Sequence, residues 1–138
     1  MRKILSIAIV SSCLFGFKIP IYSAYLGKAS AQEAKYDMTK IYKKYKSFYI
    51  EFGEFPYSIQ DMIDRYNLYL SSEGWEFEIQ IDINHQIDIN VETFNFEGYI
   101  VAYSNEEMPD GAGEIILLDV KTLQFCGYAQ KFDCRLDW

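Results

Sequence analysis

The feature that most constrains the fold is a change in hydrophobic period near Gly74. Before it, residues 22–52 contain no proline and a single glycine, and apolar side chains recur at spacings of three and four at Met38, Ile41, Tyr45, Phe48 and Phe52. This spacing places them on one face of an α-helix. After Gly74, apolar residues alternate with polar ones, as on a strand with one buried face. The order predicts an α+β fold in which a long N-terminal α-helix packs on a small antiparallel β-sheet.

The chain also carries signals for where its helices end. Gly53 follows the last apolar residue of the stripe and Pro56 lies just beyond it, which predicts the end of the long helix. Ser58 is a suitable N-cap for a second, shorter helix. We expect that helix to fade near Tyr69, ahead of the serine and glycine residues that precede the strands.

The alternating residues predict a hairpin followed by three more strands. The first two strands, 77–83 and 87–91, are expected to be joined by the loop 84–86, with His85 at its tip. That register pairs Ile83 with Ile87 and keeps every apolar side chain on one face. Further strands are predicted over 99–103, 114–120 and 123–128, with a proline- and glycine-containing turn over 108–113.

Charge is distributed unevenly along the chain. Residues 1–50 hold nine basic residues against two acidic ones, whereas residues 51–138 hold four against eighteen. Opposite charge on the two halves suits head-to-tail association between copies, and it is equally consistent with two separately solvated faces. Nucleic acid is not expected as a partner, because the chain is acidic overall with a net charge of −7.

The N-terminus reads as an export signal. Met1-Arg2-Lys3 is followed by an uncharged apolar run, Ile4 to Phe17, whose fourteen residues span about 21 Å as a helix, short of a hydrocarbon core of about 30 Å. Three interpretations stay open: a secretory signal cleaved between Ala31 and Gln32, a lipoprotein signal at Cys13, and a retained helical arm. Each predicts an exported protein, periplasmic or at the cell surface, and the retained arm adds the alternative of anchoring in the membrane by the N-terminal helix. We therefore divide the chain into an export signal or apolar helical arm, 1–31, and a globular domain, 32–138.

Two of the three cysteines lie close together near the C-terminus. In a small exported domain, Cys126 and Cys134 are expected to form a disulfide. Closing so short a loop contributes about 2.5 kcal/mol in the chain-entropy model. Cys13 lies in the apolar run and is left unpaired by this assignment.

No residues stand out as a catalytic, cofactor-binding or metal site. His85 is the single histidine and has no partner at ligand spacing. The acids between Asp82 and Glu92 lack the glycine and the final glutamate of a calcium loop, so we assign them to the solvated face of a hairpin. Asp110 and Glu114 flank a glycine-rich turn that is either a plain solvated turn or a weak calcium site. The sequence thus predicts a protein without enzymatic activity or cofactor.

Four segments in order carry a family resemblance. Ile19-Pro20-Ile21-Tyr22 resembles the proline-containing segment of the N-terminal helix in type IV pilins and general-secretion G/H pseudopilins, and residues 28–35 are similar to the lysine- and alanine-rich continuation of that helix. Residues 49–56 resemble the end of the family's helix, and residues 58–62 resemble the short segment that follows it. The resemblance covers less than a third of the chain. It implies a helical spine that packs in a fibre, a sheet presented outside, and often a C-terminal disulfide loop.

The resemblance also implies residues and partners. Ile19, Pro20, Tyr22 and Tyr25 would pack helix against helix in an assembly with other pilin-like subunits or with copies of the chain itself, served by an inner-membrane assembly machinery. The alternative hypothesis is a secreted monomeric module, released by signal peptidase after Ala31, that binds a ligand or protein on its aromatic, acidic sheet.

Overall fold

A computed structural model describes residues 20–88 and 91–134, without the side chains of 20, 21, 84–88 and 91–94. Within these residues helix α1 spans Pro20–Phe52 and helix α2 spans Ile59–Arg65. Four strands follow: β1 at Trp75–Asp88, β2 at Val91–Ser104, β3 at Ile115–Asp119 and β4 at Gln124–Gly127. Each pairs antiparallel with the next, in the order β1-β2-β3-β4. The predicted α+β fold, a long N-terminal helix on an antiparallel sheet, is confirmed.

The core lies between one face of α1 and one face of the sheet. Met38 and Ile41 are fully buried, and the buried stripe extends further towards the N-terminus than predicted, to Ala31 and Ala34. Opposite it lie the inward side chains of strands β2, β3 and β4: Phe96, Ile100, Ala102, Ile116, Leu118 and Phe125. Tight packing of small against large side chains at this contact fixes the position of the helix on the sheet.

Phe52 departs from the prediction. The helix ends at this residue, and 53% of its surface is exposed. Its ring contacts Phe48, with centroids 4.7 Å apart, and Tyr66, at 6.4 Å, and it does not reach the sheet. Gly53 then reverses the chain at φ 74°, and its amide donates to the carbonyl of Tyr49 at 2.8 Å. The glycine end of the helix is therefore confirmed.

Helix α2 begins as predicted but ends early. The Ser58 hydroxyl accepts a hydrogen bond from the Asp61 amide at 3.0 Å, as an N-cap should. The helix stops at Arg65 and does not reach Tyr69, because Asn67 takes a left-handed conformation at φ 60°. Asparagine tolerates that conformation better than most residues, so it ends the helix as glycine commonly does.

The predicted hairpin loop at 84–86 is wrong. These residues, His85 included, lie inside β1, a continuous strand of 14 residues. Ile83 is opposite Phe96 and not opposite Ile87, and the ladder extends to the pair Asp88–Val91. Ile83 and Ile87 are an even number of residues apart, so an unbroken strand also keeps them on one face, and no glycine or proline between them reverses the chain.

The second half of the sheet follows the predicted order, although β2 is longer than the strand predicted there and β3 and β4 are shorter. The strand predicted over 99–103 is the end of the 14-residue β2, and those predicted over 114–120 and 123–128 are β3 and β4. The described residues therefore form four strands where five were expected. Ile19 and Cys13 lie outside the described residues. In the part of the chain that is described, no helix combines the length and apolarity that a membrane crossing requires.

Candidate interaction surfaces

Helix α1 carries a second stripe on the side away from the sheet. At 100° per residue, seven residues that recur at spacings of three, four and seven share this side: Tyr22, Tyr25, Ala29, Gln32, Tyr36, Lys43 and Ile50. We call them the outward stripe. Its large apolar members are exposed by 49% at Tyr22, 69% at Tyr25, 65% at Tyr36 and 55% at Ile50. The helix therefore presents aromatic surface to solvent between Tyr22 and Tyr36, and an exposed aliphatic side chain further on at Ile50.

The structure describes two of the four predicted assembly residues in full. Tyr22 and Tyr25 are exposed on the outward stripe. Pro20 is the residue from which α1 is described. Ile19 is outside the described residues. Within 22–52, the part of α1 whose side chains are described, Gly27 is the first buried residue, and residues 22–26 before it are exposed or half-buried.

Contacts around Gly27 fasten the start of α1 to the rest of the domain. The Trp75 indole donates to the Ser30 hydroxyl at 2.8 Å, and the Tyr128 hydroxyl donates to the Asp110 carboxylate at 2.7 Å. A side chain at Gly27 would overlap the Tyr128 hydroxyl and lie 2.9 Å from the Asp110 Cβ. Glycine is therefore required for this close approach. We call these five residues the N-terminal clasp.

The sequence left two hypotheses for the turn that contains Asp110: a plain solvated turn or a weak calcium site. The Asp110 carboxylate accepts the Tyr128 hydroxyl, so it is part of the protein's own hydrogen-bond network. Burial, the hydrogen bond to Asp110 and the charge of Glu114 raise the pKa of Tyr128, which keeps the phenol protonated as a donor. No group of three metal-ligating side chains occurs among the described residues. Asp110 thus acts as a hydrogen-bond acceptor in the clasp.

The predicted disulfide is confirmed and holds the clasp in place. Cys126 and Cys134 are bonded with Cα atoms 5.1 Å apart, and Cys126 is fully buried opposite Leu117. Within the closed loop the Gly127 amide donates to the carbonyl of Phe132 at 2.9 Å. Tyr128 belongs to this loop, so the bridge restrains the residue that contacts α1.

A buried carboxylate that sequence reasoning missed lies midway along α1. Asp37 is fully buried and accepts hydrogen bonds from the amides of Ser71 and Ser72, the shortest being 2.8 Å from Ser72. The Ser72 hydroxyl donates to it at 2.5 Å, and Lys40 forms an ion pair at 3.2 Å. Asp37 therefore fixes the segment that leads into β1. The sequence signal for its burial was its position between Ala34 and Met38, at the border of the apolar stripe of α1.

The network around Asp37 sets its ionisation. Burial raises the pKa of the Asp37 carboxyl, but the hydrogen bonds from Ser72 and Ser71 and from Lys40 outweigh it and leave the pKa below 3.8, its ordinary value. The folded state thus favours the charged carboxylate more than the unfolded state does. Its contribution to stability is present above the ordinary pKa and is lost as the pH falls through the folded one.

We predict an acid-dependent loss of stability that Asp37 controls. Lowering the pH from about 6 to about 3 should reduce the free energy of unfolding, because the unfolded chain takes up the Asp37 proton first. Urea unfolding of the wild type and of Asp37→Asn across this range measures the effect. The gap between the two proteins should narrow as the pH falls. A gap that stays constant would contradict this assignment.

Lys40 connects the Asp37 network to the protein surface. Its ammonium lies 4.8 Å from the Tyr36 ring centroid and 5.4 Å from that of Tyr69, and it donates to the Tyr69 carbonyl at 2.6 Å. Next to it Lys43 and Lys44 line a shallow basic groove of about 510 Å³. The layer formed by α1 is therefore basic on its solvent side.

The outer face of the sheet has the opposite charge. Exposed carboxylates project from the first two strands at Glu76, Glu78, Asp82 and Glu97. The Tyr103 hydroxyl donates to Glu78 at 3.1 Å, and Lys121 lies 3.8 Å from Glu97. The two layers of the domain thus carry opposite charge on their solvent sides, as the sequence halves predicted.

A groove of about 580 Å³ runs beside β1, the first strand of the sheet. Its apolar lining includes Tyr45, Leu70, Phe77 and Ile79, and its opposite wall is the segment 56–60. Burial, together with the charge of Asp82, raises the pKa of Tyr45 to about 12, so this phenol is neutral at physiological pH. The groove can therefore accept apolar groups.

The possible cleavage site lies inside the fold. Ala31 is fully buried in the core within α1, and Gln32 is exposed on the outward stripe. A chain that began at Gln32 would lack Gly27 and Ser30, two members of the N-terminal clasp.

Comparison with known proteins gives no relative: no protein-family model, no curated protein and no solved structure matches the chain. The function is therefore argued from the surfaces described above.

Proposed function

We propose that this chain is a non-catalytic, exported pilin-like structural protein, a subunit of the minor-pilin or pseudopilin type. The observation that carries the proposal is the outward stripe of α1, which exposes Tyr22, Tyr25, Tyr36 and Ile50 on the side away from the sheet. Aromatic side chains are enriched where proteins associate. A helix that is buried on one side and aromatic on the other is suited to pack against a second helix.

The stripe has the composition of a helix–helix contact. Ala29 lies between the tyrosines and allows a neighbouring backbone to come close. Lys43 is the single charged member, and the acidic outer sheet face of a neighbouring copy offers it a partner. The proposed occupant of the stripe is a second copy of this chain or another pilin-like subunit.

The N-terminal clasp supports retention of the helical arm. Gly27, Ser30 and Ala31 all lie in contacts that a chain cleaved after Ala31 would lose. We therefore favour the retained arm over the released monomeric module. Mass spectrometry of the exported protein should find a mature N-terminus before Pro20, whereas a start at Gln32 would favour the module. Cell fractionation should find the protein in the periplasm or at the cell surface. A cytoplasmic location would contradict export.

We predict that the outward stripe drives self-association. Replacing Tyr25 and Tyr36 together by serine should weaken association of the full chain at least tenfold, since each tyrosine buries apolar surface only in the assembly. Sedimentation velocity over a concentration series measures it. Both residues are exposed, and Tyr36 contacts the Lys40 ammonium, so the free energy of unfolding should fall by no more than about 1 kcal/mol.

Tyr57→Ser is the matched control for this experiment. Tyr57 is 95% exposed but lies in the segment between the helices, away from the outward stripe. Its replacement should leave association unchanged. A wild-type chain that stays monomeric at every concentration, or a Tyr57 variant that loses association equally, would overturn the proposal.

A further inference from the structure

Strand β1 has one open edge. In the sheet order β1-β2-β3-β4 it is bonded on one side only, to β2. The Ser104 amide donates to the Glu114 carbonyl and the Ser104 carbonyl accepts from the Gly113 amide, so the backbone groups of Ser104 point towards the β3 side of the sheet. Backbone groups of successive residues in a strand point in opposite directions, so those of Tyr103 and Val101 point towards β1. Their partners there are Glu76 and Glu78. The residues between, such as Phe77, consequently direct their backbone groups away from the sheet.

The open edge borders the groove beside β1, whose lining is partly apolar and partly polar. Phe77 and Ile79 contribute both to the groove lining and to the outward row of backbone groups. Among the described residues, none donates a hydrogen bond to this row or accepts one from it. A row of unpaired amides and carbonyls is the template on which an additional strand forms. The groove provides room beside it for the side chains of such a strand.

The charges along β1 determine which strand could bind. Its solvent-facing side chains next to the groove are acidic at Glu76 and Glu78, with Asp82 further along, and Gln80 is the uncharged member of the row. Strand β1 contains no lysine or arginine. A second copy pairing β1 with β1 would bring acids opposite acids, which is destabilising. Charge repulsion therefore disfavours pairing of β1 with a second β1, and the acidic side chains favour a strand that carries basic residues.

We propose that the open edge of β1 and the adjacent groove bind an extended peptide segment with alternating basic and apolar residues, added as a further strand of the sheet. Its basic side chains lie on the outer face beside Glu76 and Glu78, and its apolar side chains enter the groove lined by Tyr45, Leu70 and Ile79. Backbone hydrogen bonds supply affinity and the alternation supplies specificity. This site lies on the sheet edge, and its existence does not depend on assembly through α1.

The probe is the blocked hexapeptide Lys-Val-Lys-Ile-Lys-Val, titrated into the full chain by calorimetry. Two control peptides separate the contributions: one carries N-methyl groups on alternate residues, which remove backbone donors, and one has glutamate in place of lysine. We expect binding of the probe at least tenfold tighter than of the N-methylated peptide, and no binding of the glutamate peptide. Amide NMR shifts should change at Phe77 and Ile79.

Protein variants locate the site. Glu78→Lys should weaken binding of the probe at least tenfold. Glu33→Lys makes the same charge change at an exposed residue of α1 that does not line the groove, and should have little effect. Equal binding of the N-methylated peptide, NMR shifts confined to other surfaces, or absence of binding would each overturn the proposal; in the last case the acids serve only to keep the edge from pairing.

Discussion

Replacing Asp37 with alanine is expected to lower the free energy of unfolding by about 3 kcal/mol. The carboxylate is fully buried and accepts hydrogen bonds from Ser71 and Ser72 while it pairs with Lys40. Without it, two backbone amides next to the core lose their acceptor, and the segment leading into β1 loses its attachment to α1. Removing one partner of a buried charged network lowers the free energy of unfolding by more than the intact network contributes, because the remaining polar groups lose their partner while they stay shielded from water.

Urea unfolding at neutral pH measures this loss, with two companion variants as controls. Asp37→Asn keeps the shape and one acceptor oxygen, so its loss should fall between those of wild type and alanine. Asp64→Ala removes an exposed carboxylate of α2 that accepts a hydrogen bond from Gln60, and should change the free energy of unfolding by less than about 0.5 kcal/mol. An alanine variant at Asp37 as stable as the Asp64 variant would show that the network does not stabilise the fold.

Removing the disulfide is expected to cost about 2.5 kcal/mol in the chain-entropy model for so short a loop. The double variant Cys126→Ala, Cys134→Ala should also loosen the clasp, because Tyr128 lies in the loop that the bridge closes. Its ring is 6.1 Å from that of Trp75, so tryptophan fluorescence reports the local change while urea unfolding reports the global one.

Cys13→Ser is the matched control, since it removes a thiol and keeps the bridge. We expect its unfolding midpoint to equal that of the wild type. If the double variant unfolds at the wild-type midpoint with unchanged fluorescence, the bridge neither stabilises the domain nor holds Tyr128.

The fold could be predicted from sequence wherever a local signal and the tertiary contact agree. The apolar spacing on α1 as far as Phe48, the Gly53 end and the Ser58 cap are signals of this kind, and each is confirmed. Alternation along 77–91 also predicted strands, but it is the same for one long strand and for two short ones. The hairpin turn was therefore misplaced.

The candidate surfaces could be predicted only in part. Tyr22 and Tyr25 were chosen from the family resemblance, and their exposure agrees with that choice without testing it. Asp37 was missed because its acceptor role depends on Ser71 and Ser72, more than thirty residues away. The same applies to Gly27, whose requirement for glycine arises from Tyr128 at the opposite end of the chain.

The contact between Gly27 and the C-terminal loop has a consequence for the order of folding. Asp110 and Tyr128 lie far along the chain from Gly27, so the start of α1 cannot complete its native contacts until both of these residues have been synthesised. Ordering of this end of the helix therefore depends on a contact of long sequence separation. We expect it to be a late step in folding, after the local helix and strand contacts have formed.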